Sequence, residues 1–124
     1  MKLLLDTHVV LWWRLDSARL KAPVRRRIGS VAIVWVSAAS GWEVAIKQTL
    51  GKLRLSDSFA SMVADSQFDE LPITLRHTEQ VTGLPAYHTD PFDRLLVAQA
   101  QVEGATVVSH DRQFEQYDVP MLWV

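Results

Sequence analysis

The chain has 124 residues, of which 48% are hydrophobic and 22% are charged, proportions typical of one compact globular domain and not of a disordered segment. It contains no cysteine, which excludes disulfides, thiol nucleophiles and cysteine-based zinc or iron–sulfur sites. The net charge of −1 argues against a nucleic-acid partner, but it conceals two opposed regions. Residues 19–54 carry eight basic residues and one acid, whereas residues 55–124 carry three basic residues and eleven acids. The basic region is expected either to bind a polyanion or to be a solvated helix face.

The apolar runs are short. The longest, at residues 9–13 and 31–36, fall far below the roughly 18 residues that span a bilayer. Asp6 interrupts the opening leucines before the apolar region of a signal peptide can form. We therefore expect a cytoplasmic protein that does not associate with membranes, and the absence of cysteine agrees with a reducing compartment.

Strands and helices alternate along the predicted chain. Apolar, β-branched runs predict strands, while Ser37 and Asp90 as N-caps and Gly51 and Gly104 as stops delimit two helices. In chain order we expect a strand at 2–5, a helix at 7–16, a helix at 22–28, a strand at 31–36, a helix at 38–50, a helix from 56 or 57 to 66, an edge strand at 70–74, a helix at 75–82, a loop at 84–89, a helix at 91–103, a strand at 105–108, a helical turn at 112–116 and a strand at 119–123. This order predicts a single α/β domain over residues 1–124, with a mainly parallel central sheet.

Two acids follow predicted strands. Asp6 comes directly after the first strand, and Asp111 comes shortly after the strand at 105–108. Ligands of parallel α/β sheets bind beyond the carboxyl ends of the strands, which is where both carboxylates are expected. Each acid can equally be a turn former or a helix N-cap, so both interpretations stay open.

Glu43 lies beside an apolar stripe of the helix at 38–50. The stripe has helical spacing and is expected to face the core; its members are Trp42, Ala45, Ile46, Thr49 and Leu50. At the edge of the core, the charge of Glu43 is costly unless a partner or a metal compensates it. The alternative is an ordinary pair with Lys47, one turn further along the helix. Trp12, Trp13, Trp35 and Trp42 are expected in the core more than on a base-stacking surface, and one of Trp12 and Trp13 is expected to leave it.

Asp93 begins the apolar face of the helix at 91–103. It is followed by Leu96, Val97 and Ala100 at core spacing, so capping explains it less well than it explains Asp90. Four acids, Asp6, Glu43, Asp93 and Asp111, are thus expected where solvation is poor. Clustered carboxylates repel one another and either become protonated or bind a cation. Oxygen ligands of this kind favour Mg²⁺ or Mn²⁺, and such a site suits cleavage of phosphodiester bonds.

Several blocks of the sequence resemble one known family. The blocks at 3–8, 37–47, 51–53, 88–100 and 109–111 resemble, in order and spacing, the PIN-domain toxins of the VapBC type. The most specific are Trp42-Glu43-x-Ala45-x-Lys47 and Asp90-Pro91-Phe92-Asp93-Arg94. The resemblance implies a three-layer α/β/α sandwich and a metal-dependent endoribonuclease. It also implies a cognate antitoxin as inhibitor, a homodimer and a toxin–antitoxin hetero-oligomer.

The resemblance also implies roles for individual residues. Asp6, Glu43, Asp93 and Asp111 match the four acids of the family, and Mg²⁺ or Mn²⁺ would be bound chiefly through Asp6 and Asp93 or Asp111, with Glu43 often acting through water. Asp90 is a candidate helix cap or supporting residue. Further supporting or RNA-contact candidates are Ser109, Arg94, Arg112 and Lys47. Ser109 stands where the family commonly has threonine, and its hydroxyl can hydrogen-bond Asp6 or the substrate. Arg94 and Arg112 are expected either to hold phosphate or to be exposed helix residues. Gly41 stands where a larger apolar residue is usual, and His8 and His88 are expected near the site in hydrogen-bonding or structural roles, with any role in the site itself left open.

Three alternatives to a toxin remain at this stage. A housekeeping RNA-processing nuclease of the same superfamily would share the acids, and a non-catalytic scaffold would share only the fold. A phosphoacceptor receiver domain needs paired acids after the first strand and a late lysine, yet only Asp6 follows that strand and no lysine follows Lys52. The sequence therefore favours a nuclease whose RNA target it does not specify.

Overall fold

A sheet of five parallel strands forms the centre of the computed structural model, which describes residues 1–86 and 89–124. In chain order the elements are β1 (Lys2–Leu5), α1 (Thr7–Arg14), α2 (Ala22–Ser30), β2 (Ile33–Ser37), α3 (Ala38–Thr49), α4 (Phe59–Asp65), β3 (Asp69–Leu71), α5 (Leu75–Val81), α6 (Pro91–Glu103), β4 (Thr106–Ser109), a 3₁₀ turn (Arg112–Gln116) and β5 (Met121–Trp123). The strand order is β3-β2-β1-β4-β5. Each predicted element in the described ranges is present, with ends shifted by a few residues.

The strand β1 lies at the centre of the sheet, and its carboxyl end is level with those of its neighbours. Leu5 pairs with Val36 of β2 and with Val108 of β4. The backbone N–H of Asp6 donates to the carbonyl of Val108 at 3.0 Å, which extends the β1–β4 pairing by one residue. The segments that follow β1, β2 and β4 therefore leave the sheet at the same edge.

The core has two halves, one on each face of the sheet. Leu3 and Leu5 point into one half and Leu4 into the other, as the alternation of a strand requires. The first half contains side chains of α1, α2 and α4, and the second contains side chains of α6. The predicted α/β/α sandwich with a parallel sheet is confirmed.

A buried polar network fixes the depth at which α6 sits on the sheet. The hydroxyl of Ser37 at the end of β2 donates to Gln99 Oε1 at 2.5 Å, and Gln99 Nε2 donates to the carbonyl of Pro72 at 3.3 Å. His77 is buried as well; its Nδ1 accepts from the backbone of Thr74 and its Nε2 lies 2.7 Å from Glu103 Oε2. These bonds tie the middle and the end of α6 to β2 and α5.

Helix ends follow the predicted capping residues closely. Ser37 accepts from the backbone of Ala39, and Asp90 accepts from the first turn of α6. Gly51 and Gly104 adopt φ values of +71° and +69° just after their helices, a left-handed conformation that favours glycine. The strand predicted at 31–36 lies two residues later at its start, and the helix predicted to begin at 56 or 57 is capped by Ser58 instead.

The apolar stripe of α3 does not face the core as predicted. Trp42 is 63% exposed, Leu50 is 62% exposed and Ile46 is 36% exposed, and Ala45 and Thr49 are also exposed. The buried face of α3 is formed by small side chains, namely Ala39, Ser40 and Val44. Periodicity identifies an apolar face but not whether another element covers it, and here α3 packs through the opposite face. Trp12, Trp13 and Trp35 are partly buried against the core, as expected, whereas Trp42 is not. The expectation that one of Trp12 and Trp13 leaves the core is also wrong, because both pack against the same half of it.

Within residues 1–86 and 89–124, no helix has both the length and the apolar character needed to cross a bilayer.

Candidate active site

All four predicted acids line one cavity at the carboxyl edge of the sheet. Its volume is about 410 Å³. The acids come from four separate segments: the β1–α1 junction, α3, the start of α6 and the β4–3₁₀ junction. The lining consists of Asp6, His8, Glu43, Lys47, Asp90, Asp93, His110, Asp111 and Arg112. Residues that are far apart in sequence therefore form a single acidic site.

Ser109 connects the two strand-end acids. Asp6 is 5% exposed, and its Oδ2 accepts a 2.7 Å hydrogen bond from the hydroxyl of Ser109. The same hydroxyl oxygen accepts from the backbone N–H of Asp111 at 3.0 Å. Asp111 in turn accepts from the backbone of Gln113 and caps the 3₁₀ turn. The hydrogen bond expected between Ser109 and Asp6 is present, and Ser109 thus links the carboxylate of Asp6 to the backbone of Asp111.

Glu43 is held from both sides. Its Oε1 accepts a 2.7 Å hydrogen bond from the hydroxyl of Thr7, which also lies 2.9 Å from the hydroxyl of Ser40. Its Oε2 lies 3.2 Å from Lys47 Nζ. Glu43 thus pairs with Lys47 and also lies at the cavity. The sequence alone had presented these two interpretations as alternatives.

Asp90 and Asp93 occupy the first turn of α6 in different ways. The Oδ1 of Asp90 accepts from the backbone of Phe92 at 2.8 Å and of Asp93 at 3.3 Å, so Asp90 is the helix cap and also reaches the cavity. Asp93 begins the helix face that continues into the buried residues Leu96 and Val97. The helix that Asp90 caps thus carries Asp93 to the cavity wall.

Burial and mutual repulsion raise the pKa of two of these acids. Burial, followed by the negative charges of Asp6, Asp90, Asp111 and Glu43, raises the pKa of Asp93 to about 8. Burial also raises the pKa of Asp6, although the hydrogen bond from Ser109 and the proximity of His8 act in the opposite direction. A site that resists carrying its full negative charge is favourable for a bound cation.

The donor set is one that a hard cation accepts. It consists of carboxylate oxygens, the ligands that Mg²⁺ and Mn²⁺ prefer. In the part of the chain that the structure describes, however, no three of its carboxylate and histidine groups are already gathered closely enough to hold one ion. The chemistry and charge of the site therefore fit a divalent cation, while its acids are spread along the cavity wall.

The predicted cationic candidates separate into two groups. Lys47 and Arg112 line the cavity, and the Arg112 guanidinium lies 4.2 Å from the centre of the Trp123 ring. Arg94 does not line it, because its guanidinium donates to the carbonyls of Pro85 and Val81 and anchors the chain before α6. The sequence suggested that Arg94 either holds phosphate or is simply exposed. Neither interpretation describes its contact with these two carbonyls.

The basic region at 19–54 is not one surface around the acids. Arg25 is committed to the fold, since it donates to the backbone carbonyls of Trp12 and Leu20 and pairs with Asp16. Arg26 and Arg27 line a different cavity on α2. Only part of the positive charge of residues 19–54 is therefore near the acidic site.

Sequence reasoning did not single out two hydroxyl residues of the site. Thr7 and Ser40 are buried, and Thr7 positions Glu43. Ser40 lies one turn before Glu43, and this small polar side chain on the packed face was an available signal. His8 lies at the cavity and is exposed, whereas the expectation for His88 concerns a residue outside the described ranges.

Comparisons with known proteins identify the family of the chain. A family model described as the PIN domain matches residues 3–120. The chain is 30% identical over 122 residues to ribonuclease VapC22 of Mycobacterium tuberculosis (strain ATCC 25618 / H37Rv), covering 94% of this chain and 92% of the relative.

Two solved structures of low sequence identity share the fold. VapBC2 from Rickettsia felis, bound to a DNA fragment from its promoter, has a TM-score of 0.72 at 14% identity and is matched over 99% of this chain and 98% of that one. DNA-bound VapBC from Salmonella typhimurium has a TM-score of 0.71 at 17% identity, with the same coverage of 99% and 98%. With the family model matching nearly the whole chain and a VapC relative at 30% identity, the chain belongs to the PIN domain family, among its VapC-type members.

Proposed function

We propose that the protein is a divalent-metal-dependent endoribonuclease and the toxin of a type II toxin–antitoxin pair. The observation that carries the proposal is the convergence of Asp6, Glu43, Asp93 and Asp111 on one cavity. The 30% identical relative is named a ribonuclease, which supports RNA as the substrate. The whole chain, residues 1–124, would act as one nuclease domain.

In this proposal Asp6, Asp93 and Asp111 would hold Mg²⁺ or Mn²⁺, and Glu43 would act on the ion through water. The cation would supply Lewis-acid chemistry, lowering the pKa of an attacking water and stabilising the leaving oxygen of the phosphodiester. The raised pKa of Asp93, about 8, supports this assignment, because a cation would offset the cost of burying its charge and the repulsion from the neighbouring acids, which together raise it.

The chain's own residues orient the reacting groups. Ser109 keeps the Asp6 carboxylate directed at the cavity, and Thr7 does the same for Glu43. Glu43 would accept the proton that the attacking water loses. Lys47 and Arg112 carry positive charge on the cavity wall, where they would attract the RNA phosphates that flank the cut.

A cognate antitoxin is the proposed partner, and the proposed assemblies are a homodimer and a toxin–antitoxin hetero-oligomer. The solved structures that share the fold include VapBC complexes, two of them bound to DNA, which supports a partner of this kind. The proposed site of action is the cytoplasm, where the RNA is. Growth arrest on expression, relieved by co-expression of the product of a small neighbouring gene, would separate a toxin from a housekeeping nuclease.

The enzymatic proposal is tested with purified protein and total RNA. We expect cleavage with Mg²⁺ or Mn²⁺ and no cleavage with excess EDTA, followed by gel electrophoresis of labelled RNA. Internal cuts, seen as discrete fragments from a circular RNA, distinguish an endonuclease from an exonuclease. Equal cleavage with and without EDTA contradicts metal dependence, and no cleavage under any metal condition favours the scaffold alternative.

Ser109→Ala is expected to reduce cleavage about 10- to 100-fold, the usual cost of losing a group that orients a metal ligand. Ser109→Thr, which keeps the hydroxyl that Asp6 accepts from, should retain most of the activity. Initial rates over a Mn²⁺ titration measure both effects, because Ser109→Ala should also need more metal. Equal rates for Ser109→Ala and the original chain would show that this hydrogen bond does not orient Asp6.

A further inference from the structure

Three rings cluster beside the acidic cavity, and two of them line it. We call His8, Trp12 and His110 the aromatic cluster. The centroids of Trp12 and His110 are 4.8 Å apart, those of His8 and His110 are 5.9 Å apart, and those of His8 and Trp12 are 6.0 Å apart. The cluster joins two elements, because His8 and Trp12 belong to α1 while His110 follows β4.

The aromatic cluster is continuous with the acids. His8 and His110 line the same cavity as Asp6 and Asp111, and each is close in sequence to one of these two carboxylates. Trp12 lies one helical turn beyond His8 and therefore on the same face of α1. A chain bound at the acids would thus lie next to two rings of the cluster.

Two rings of the aromatic cluster are exposed to solvent, and the third is held by the core. His8 and His110 are exposed, whereas Trp12 is partly buried and packs against the core. The three ring contacts have interplanar angles of 39°, 90° and 52°, so none of these three contacts is a parallel stack that would cover ring faces completely. Aromatic faces at a fixed position are the usual platform for unpaired bases, and they accept any base because every base has a π-face.

An arginine side chain lies next to the aromatic cluster. The guanidinium of Arg19 lies 5.6 Å from the centre of the Trp12 ring, and Arg19 is exposed. Rings that bind bases beside a cation that binds phosphate form the combination that single-stranded nucleic acid requires. An apolar peptide would gain little from two exposed imidazoles and a guanidinium, so the chemistry favours RNA.

We propose that the aromatic cluster binds an unpaired nucleobase of the RNA, next to the phosphate that is cut, and that Arg19 contacts the backbone of the same strand. The proposal rests on the proposed function and adds to it the residues that would hold a base and the backbone of the substrate. A base in a duplex is already stacked and cannot reach the rings.

The test measures binding separately from cleavage. Fluorescence anisotropy is used with a labelled 12-nucleotide single-stranded RNA of mixed sequence, and with the same strand in a duplex. The parent is the full-length Asp93→Asn chain in Mg²⁺, which is expected not to cut the probe. We expect Trp12→Leu to weaken single-strand binding about 5- to 100-fold, and Trp12→Phe, which keeps a ring, to stay within about 3-fold of the parent. Duplex binding should be unchanged by both.

Trp35 provides a matched control. It is also partly buried and also has a cation over its ring, with Lys2 Nζ 5.7 Å from its centre. It packs, however, against the core half on the other face of the sheet from Trp12, whose ring contacts His8 and His110 of the cavity. Trp35→Leu should leave RNA binding within about 2-fold of the parent. His110→Ala serves as a second variant, because His110 is exposed and its loss cannot open a hole in the core; it should weaken single-strand binding at least about 3-fold.

The outcomes separate this proposal from the proposed function. Single-strand binding that is insensitive to Trp12→Leu and His110→Ala overturns the proposal, as does equal weakening by Trp12→Leu and Trp35→Leu, or a parent that does not bind the single strand. If the unsubstituted chain fails to cut RNA but the Asp93→Asn parent binds single strands through Trp12, the aromatic cluster is an RNA site and the nuclease assignment fails instead.

Discussion

Asp6→Asn and Asp93→Asn will each reduce metal-dependent RNA cleavage by about 100-fold or more. Both side chains line the cavity in which four acids meet. Loss of a group that merely orients a metal ligand costs about 10- to 100-fold, so loss of a carboxylate ligand itself should cost at least as much as the upper end of that range. Asparagine keeps the shape of the side chain and removes its charge. Initial rates at saturating Mg²⁺ measure the loss.

Asp65→Asn is the matched control for these substitutions. Asp65 is an exposed acid at the end of α4 and is not part of the cavity, so its variant should cut RNA at the rate of the original chain. Circular dichroism and a thermal melt confirm that each variant is folded. Folded Asp6→Asn and Asp93→Asn variants that cut RNA at full rate would contradict the assignment of the active site.

Raising the pH from about 5 to 8 in the absence of divalent metal will destabilise the protein. Burial and neighbouring carboxylates raise the pKa of Asp93 to about 8, and burial raises that of Asp6. The folded state therefore binds these protons more tightly than the unfolded chain does. The corresponding stability is complete below the ordinary aspartate pKa of about 4 and is lost as the pH rises through about 8. Mg²⁺ should restore stability at pH 8, because it replaces the lost protons as the compensating charge.

The size of this effect is measurable by thermal unfolding. Part of the Asp93 side chain reaches solvent, so only part of the shift in its pKa counts toward stability. Even about 1 kcal/mol moves the Tm of a chain this long by roughly 3–6 °C. At pH 8 without metal, Asp93→Asn should melt several degrees above the original chain, while Asp65→Asn should not. If the Tm of the original chain stays level or rises between pH 5 and 8, the folded state does not bind protons at these acids more tightly than the unfolded chain does.

Most of the fold could be predicted from sequence because local signals and tertiary contacts agree. Leu3, Leu4 and Leu5 are buried on both faces of the central strand, and a run that is apolar on both sides predicts such a strand. Asp90 and Gly104 bound α6 as expected. The positions of Asp6 and Asp111 followed from the same logic, since residues that follow parallel strands emerge at one edge of the sheet. Glu43 reaches the cavity although the stripe from which its position was predicted is exposed.

The sequence could not predict which faces of the helices are covered by other elements. The stripe of Trp42, Ile46 and Leu50 is apolar and regularly spaced, yet α3 packs through Ala39, Ser40 and Val44. Small residues contribute little to a hydrophobic pattern, although they allow helices to approach closely. Contacts between distant segments are likewise invisible to spacing rules.

Two such contacts shape the candidate site and its surroundings. The hydrogen bond from Thr7 to Glu43 joins α1 to α3, and the anchoring of Arg94 on the carbonyls of Pro85 and Val81 joins α6 to the segment before it. In both cases the partners come together only when the helices are assembled on the sheet. The sequence pattern shows the polar residues but not their partners.

Calorimetric titration of Mn²⁺ into the metal-free protein tests the central claim most directly, because the claim is that the clustered carboxylates form a cation site. We predict saturable binding to the original chain and to Asp65→Asn, with binding at least about 10-fold weaker in Asp93→Asn and in Asp6→Asn. Equal binding by all four folded proteins, or no binding by the original chain, would contradict the claim.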